Sequence, residues 1–542
     1  MSRELYLPVK VAGIEFKNPF YVASGPTART VEQLLAIEKA GWAGASLKLA
    51  IDPAPYINRY PRYALFKDRD ALGFTAEKRL TYAQGLELMA AAKKRVTDLI
   101  LMANITYAGE EGTSGWVNMA KGFYEAGADI IELNMCCPNM SFNVETTSGD
   151  AGASLKQTGA SLGKQGEAVA EIVAAIKKAV PIPLFVKLTP EGGEIGNIAK
   201  AAYLAGADAV GGTGNRLGIP PIDLENPESA IYHLQDEISM TCYCGGWLKP
   251  LAQRDTYEMR KICGPDMPIM AAGGIRNATD SLEMVMCGAD LLGICAETLI
   301  RGYDFIGDVI RETSGWLESH GHSSLRDIRD RIVPAVKSAP ELTLYKGYAQ
   351  VQKPEMIAPC MAVCPKGIPV QSVLKQVSER NWERAYALAA GSEHCAQCPA
   401  PCKKACVKGR ASGSILIPEI MLFLREKAAE EGIAIAEKAD GRPTDRPVAK
   451  ASQVLELRQG PFQEPASKIL TKEDAVQEAS GCLRCGCGEG CHLCAEICCE
   501  FAISLDEKDQ ILIDSEKCVA CGMCYNRCPN RNIAMINTGV KI

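Results

Sequence analysis

Apolar and polar positions in the first 310 residues repeat one theme: a helical segment closes on Ala-Gly-Ala-Asp or a variant, and a short apolar run follows. It recurs as KAGWAGASLKL, EAGADIIELNM, LAGADAVGGTG and MCGADLLGICA. Glycine in that place suits the left-handed position that ends a helix, and the β-rich run behind it suits a strand buried on both faces. Eight candidate strands can be counted: PFYVASG, GASLKL, LILMANI, IIELNM, PLFVKLT, DAVGGTG, PIMAAGG and LLGICA. Eight parallel strands with intervening helices predict a (β/α)8 barrel over residues 1–310, with its active site at the C-terminal ends of the strands. The rival is a doubly wound open sheet. That fold calls for a nucleotide fingerprint, and the chain contains no GxGxxG.

Beyond the barrel the pattern changes. Residues 311–355 read as a bridge of mixed-charge helix and loop, and 356–430 as a helical module. In that module, Pro- and Cys-bearing turns surround IPVQSVLKQVSERNWERAYALAA and IPEIMLFLREKAAEE, with Val373, Leu374 and Val377 at helical spacing. Residues 431–475, containing RPTDRP and GPFQEP, read as an extended linker, and 476–542 as a final module.

A chain of 542 residues is long enough for several cores. Its 59 basic and 65 acidic residues give a net charge of −6, and no Lys/Arg block is present to track phosphates, which argues against a nucleic-acid partner. No apolar stretch reaches membrane-span length, and the start MSRELYLPVK lacks the basic-then-apolar order of a signal peptide. The expectation is a cytoplasmic, oligomeric protein.

Of 24 cysteines, 17 fall between Cys360 and Cys528 in tight groups, and 7 are scattered through the first 300 residues. Clustering of this kind in a chain without an export signal argues for metal or iron–sulfur ligation rather than disulfides. The run Cys518, Cys521, Cys524, Cys528-Pro has the spacing that wraps three thiolates around one [4Fe–4S] cube and sends the fourth to a neighbouring cube. Cys487, Cys491, Cys494 and Cys498 form its less regular mate, with Cys485 competing for the first place. The tail resembles a bacterial-type ferredoxin with two clusters. Cys482-x2-Cys485 leaves a zinc ribbon as the alternative, and Cys482 and Cys499 are not expected to be ligands.

In the middle module, Cys360-x3-Cys364-Pro precedes Cys395, Cys398, Cys402 and Cys406. This resembles the helical iron–sulfur domain of the glutamate synthase small subunit and of dihydropyrimidine dehydrogenase. That family carries two more cysteines ahead of the position of Cys360, where QVQKPEMIAP has none. The resemblance places Cys364, Cys398 and Cys402 on one cluster. It matches Cys360 and Cys406 to a cluster that has lost its other two ligands. One middle cube and two in the tail, about 12 iron atoms, are expected.

The motifs NPFYVASGP, SLKL, ELNMCCPN, VKLTP, CGGWLKP, AAGGI and GICAET occur in an order that resembles class 1 dihydroorotate dehydrogenases and the pyrimidine-reducing domain of dihydropyrimidine dehydrogenase. The resemblance covers nearly all of the first 310 residues and implies an FMN cofactor. Gly273 and Gly274, with Ala296, Glu297 and Thr298, offer backbone N–H groups and a hydroxyl where barrels commonly hold phosphate. Lys48 and Lys187 end the second and fifth strands, where a cation would stabilise an anionic reduced flavin. Ala23, Ser24 and Gly25 allow close approach of the ring, and Gly245 and Gly246 are the flavin-loop glycines.

By the same resemblance Asn134 holds substrate or flavin, and Cys137 exchanges a proton with substrate on the face opposite the hydride. Cys136 alternates to the other side of the strand as a small buried hydrophobe. Cys242, Cys244, Cys263, Cys287 and Cys295 read as structural, with a reservation for the first two, which flank the loop glycines. The recognition shell differs from that of pyrimidine-reducing relatives: Gly214-Asn215 stands where they have Asn-Thr, and GFTAEK lacks an asparagine.

These readings converge on an oxidoreductase that passes electrons through [4Fe–4S] clusters to FMN and reduces an activated C=C of a small molecule, or runs in reverse. Rivals are an electron-transfer subunit whose flavin only relays electrons, and a scaffold whose clusters are structural. The expected electron donor is a ferredoxin or a separate FAD- and NAD(P)H-binding subunit.

Overall fold

The computed structural model describes residues 7–54, 60–75, 78–137, 159–212, 215–354, 356–410, 412–436, 461–487, 491–507 and 510–542. The chain divides into two compact units, Met1–Lys337 and Ser338–Ile542.

All eight apolar runs of the first unit form strands: β1 Phe20–Val22, β2 Gly44–Ser46, β3 Ile100–Tyr107, β4 Ile130–Met135, β5 Leu184–Leu188, β6 Ala209–Gly211, β7 Ile269–Ala272 and β8 Leu291–Ile294. Each pairs in parallel with the next, and β8 returns to β1, so the sheet closes into the expected barrel. The repeated glycines do what the pattern requires. Gly41, Gly127, Gly206 and Gly288 all take φ between 95° and 120°, the left-handed turn that ends each helix before the next strand. Every residue of β4 and β5 is buried, as strands covered on both faces should be.

A hairpin, Val9–Val11 with Ile14–Phe16, packs Val11 and Phe16 against Tyr21, Met102, Ile130, Phe185 and Leu291. The last four occur at or near the starts of their strands, so one end of the barrel is filled by side chains. At the other end, a four-stranded antiparallel sheet gathers Tyr63–Phe66, Ala71–Phe74, Arg216–Gly218 and Thr241–Cys244. Its strands of three or four residues are too short for a period-2 pattern to stand out. The expected barrel boundary at 310 falls inside helix Ile306–Ser319, which buries Val309, Ile310, Thr313 and Leu317.

In the second unit, helices Val370–Ser378, Trp382–Leu388, Ile417–Glu430 and Lys472–Ser480 share a core that includes Val373, Val377, Ile420, Leu424 and Ala475. Two expectations change. Tyr345–Val351, assigned to the bridge, is a strand that pairs antiparallel with Ile533–Lys541 and so belongs with the tail. The linker also ends early. Residues 437–460 lie outside the described residues, but Gln463 exchanges backbone bonds with Gly409 (2.6 Å) and Ser414 (3.0 Å). The boundary at 476 cuts helix Lys472–Ser480, whose Ala475 and Ala479 sit in the helical module's core. Among the described residues no helix is long and apolar enough to cross a membrane.

Candidate active site and cysteine clusters

The C-terminal strand ends surround a cavity of about 1110 Å³, a volume that includes its open mouth. Its lining contains Ala23, Ser24, Gly25, Lys48, Asn134, Cys137, Lys187, Gly245, Gly273, Gly274, Ala296 and Glu297, so these sequence-selected positions meet in one place. Two of the selected residues do not line it. The Thr298 hydroxyl donates to the Cys295 carbonyl (2.7 Å) and pairs with Thr27 (2.8 Å), and its N–H also bonds Cys295. Gly246 packs behind the wall, where a Cβ would meet the Asp70 carboxylate. Gly214, Ala76 and Glu77 lie outside the described residues, as does the chain from Pro138 to Thr158. Asn215 lines the cavity.

Both residues of the Cys-Cys pair line this space, and Cys136 is the buried one of the two, as expected. They differ in surroundings. Burial pushes the Cys136 thiol up to about 12, and it lies 3.5 Å from Asn134 Oδ1. Cys137 instead accepts a hydrogen bond from Arg79 Nη2 at 3.4 Å.

Beneath the cavity a buried polar chain fixes Asn134. Asn134 Nδ2 donates to Asn104 Oδ1 (3.1 Å), Asn104 Nδ2 donates to Glu132 Oε2 (2.8 Å), and Ser46 donates to the same oxygen. Buried groups joined this way hold one rotamer each. Burial works against the Lys187 ammonium, yet the acidic groups beside it, Glu132 among them, outweigh that and raise its pKa. Lys187 therefore presents a positive charge at the cavity wall. Gly212 makes room for it, because a Cβ there would stand 2.5 Å from the lysine chain.

Four residues that the sequence reading passed over shape the site. Arg79 is 3% exposed and its Nη1 has no hydrogen-bond partner among the described residues. Arg276 lines the cavity and is held by Asp280 (3.1 Å) and Asp70; the bond to Asp280 is the first cause of its raised pKa. Asn104 and Glu132 were visible as polar letters inside the apolar runs LMANI and IIELNM, a signal that a buried polar network exists. Cys244 and Cys295, read as structural, also line the cavity.

In the second unit the cysteines gather into sets. Cys364, Cys395, Cys398 and Cys402 line one small cavity, and Cys498, Cys518, Cys521 and Cys524 line another together with Cys499. The last cysteine of the tail motif, Cys528, lies beside Cys487, because both sulfurs accept hydrogen bonds from the same residue, Asn532. Asn532 donates from Nδ2 to Cys487 Sγ and from its backbone N–H to Cys528 Sγ, both at 3.2 Å. Two of the tail's cysteines stand apart from both of these sets. Cys482, set aside as a non-ligand, and Cys485, assigned to compete with Cys487, line a further cavity with Cys360 and Cys406.

Comparison with known proteins agrees with this geometry. The dihydroorotate dehydrogenase family matches residues 6–317, and the 4Fe-4S binding domain matches 511–534. The NAD-dependent dihydropyrimidine dehydrogenase subunit PreA of Escherichia coli (strain K12) is 27% identical over 342 residues, 61% of this chain and 78% of that protein. The catalytic subunit of dihydroorotate dehydrogenase B (NAD(+)) of Methanosarcina mazei is 27% identical over 326 residues, covering 60% of this chain and 94% of its own. The chloroplastic dihydropyrimidine dehydrogenase (NADP(+)) of Arabidopsis thaliana is 22% identical over 346 residues, 60% of this chain and 76% of that protein. With a barrel closed by the expected eight strands and more than half of its length matched, the chain belongs to the dihydroorotate dehydrogenase family of oxidoreductases acting on CH–CH groups.

Proposed function

We propose that the barrel cavity binds FMN and that this chain reduces an activated C=C of a small cyclic molecule with electrons delivered through its iron–sulfur unit. The observation that carries the reading is the meeting of Cys137, Asn134 and Lys187, from the ends of β4 and β5, with the glycine-lined backbone after β7 and β8 in one cavity. The cavity fits the cofactor. Gly25, Gly273 and Gly274 line it and carry no side chains, so bare backbone is offered where a flat ring and its phosphate would lie.

FMN, when bound, supplies hydride chemistry. This chain's residues do the rest. Cys137 holds a proton at Sγ and gives it to the carbon next to the one that takes the hydride; solvent then reprotonates the sulfur. Asn134, fixed through Asn104 and Glu132, orients the substrate. Lys187 holds positive charge where negative charge grows on reduction.

Arg79 narrows the substrate class. A buried guanidinium nitrogen without a partner among the described residues, next to Cys137, favours a substrate bearing an acidic group beside its C=C. The relatives named above act on dihydropyrimidines or on dihydroorotate, and of the two only the latter carries a carboxylate. Electrons are supplied by a ferredoxin or by a separate FAD- and NAD(P)H-binding subunit; some relatives are subunits of NAD-dependent enzymes.

The test is anaerobic turnover of uracil, thymine and orotate with reduced ferredoxin, for wild type, Cys137→Ala and Arg79→Gln. Orotate should be consumed fastest, with loss in both variants. Equal consumption of any substrate by wild type and Cys137→Ala would remove the proton-transfer role and favour a flavin that only relays electrons.

A further inference from the structure

Cys360 and Cys406 lie in the helical module two thiolates short of a cube, since no cysteine precedes Cys360 in that module. The chain supplies the missing pair from downstream. Helix Lys472–Ser480 opens on a capping box between Thr471 and Asp474, and it buries Ala475 and Ala479 in the same core as Val373 and Val377. Cys482 and Cys485 follow directly. Gly486 then passes so close to the turn before Cys360 that a Cβ on it would stand 2.8 Å from Ala358 N. Cys360, Cys406, Cys482 and Cys485 consequently line one cavity.

A second, independent observation points to an occupant. Gln371 lines the same cavity, is 2% exposed, and its Nε2 has no hydrogen-bond partner among the described residues. A buried amide donor on the wall of a space lined by four cysteines needs an acceptor, and the sulfides of an iron–sulfur cube are acceptors. Among the described residues no three His, Cys, Asp or Glu side chains converge as they would on a single ion. Thiols spread around a void suit a cube, in which each thiolate bonds a different iron.

We propose that Cys360, Cys406, Cys482 and Cys485 bind a fourth [4Fe–4S] cluster, shared between the helical module and the segment that opens the ferredoxin tail. Its place gives it a function. Cys360 and Cys402 stand four residues from Cys364 and Cys406 respectively, so this site adjoins the Cys364 set on two strands of chain. Cys485 stands two residues from Cys487, the first member of the next set. Cys494 and Cys498, like Cys524 and Cys528, are four apart and join the two tail sites. Four helical residues rise about 6 Å, so neighbouring sites are held close. The fourth cluster turns an isolated cube and a separate pair into one row of four one-electron carriers. The proposal stands apart from the flavin reading, because its test counts iron.

The full-length wild-type chain, purified anaerobically, should hold about 16 iron atoms and as much acid-labile sulfide, and Cys482→Ser/Cys485→Ser about 12 of each. The milder Cys482→Ser should alter one reduced-cluster signal in electron paramagnetic resonance and leave the others. A wild-type count of about 12 iron, with or without one zinc, overturns the proposal. So does a double variant that keeps the wild-type iron, or an unchanged spectrum in the single variant. If the double variant fails to fold, the wild-type count and the single variant's spectrum decide.

Discussion

The barrel cavity draws its residues from the ends of successive strands, so their order along the chain is their order around the site. The cysteine sets of Ser338–Ile542 are assembled otherwise: Cys528 leaves its own motif for the Cys487 set, and Cys482 and Cys485 join Cys360 and Cys406 across a long stretch of sequence. Local spacing is therefore a good guide to the first kind of site and a poor one to the second. A strand end in a closed barrel has one place to be. A thiolate's partners depend on which helix packs on which.

The largest effect that sharpens this contrast is expected at Cys137. Cys137→Ala should lower turnover by about 10²–10⁴, the usual contribution of a positioned acid or base, with iron and flavin content unchanged. Lys187→Met is expected to lose about 10²–10³ in rate, as removal of one group facing developing negative charge does, and to make bound flavin harder to reduce in a spectroelectrochemical titration. Gly274→Ala should act on both binding and stability. At φ +72° its Cβ would meet Lys249 N at 2.4 Å, which costs on the order of 1–3 kcal/mol in thermal unfolding and depletes flavin. Thr471→Ala removes the cap of the helix that carries Cys482 and should cost about 1 kcal/mol without loss of iron; an iron loss there would show that this helix end is held by its cap rather than by its core face. The smallest effect is expected for Thr298→Val, about 0.5–1.5 kcal/mol from its bonds to Cys295 and Thr27, with flavin content retained.

The same contrast explains what the sequence made legible. All eight strands and their helix-ending glycines could be read because a barrel repeats one unit, and the repeat carries its own turn chemistry. Lys187 is picked out by its place at a strand end, and Asn134 and Cys137 by the resemblance that ELNMCCPN carries. The Thr298 hydroxyl turns to the Cys295 carbonyl and to Thr27, which no spacing records. Arg79 stayed hidden because it enters from a long connection after β2 rather than from a strand end. Cys482 follows a helix whose Ala475 and Ala479 pack into the helical core, a placement that its local spacing does not record. Composition could identify the tail as a redox module, but only tertiary packing pairs its first two cysteines with Cys360.

The account's central claim is that barrel and clusters form a reductase that depends on an outside donor. Anaerobic rapid mixing of the purified, flavin-loaded chain tests it most directly. Reduced ferredoxin or dithionite should bleach the clusters and then the flavin, while NADH and NADPH should leave both oxidised, since the sequence carries no GxGxxG to hold a nicotinamide pyrophosphate. Rapid bleaching of the flavin by NAD(P)H in a preparation containing only this polypeptide would contradict it.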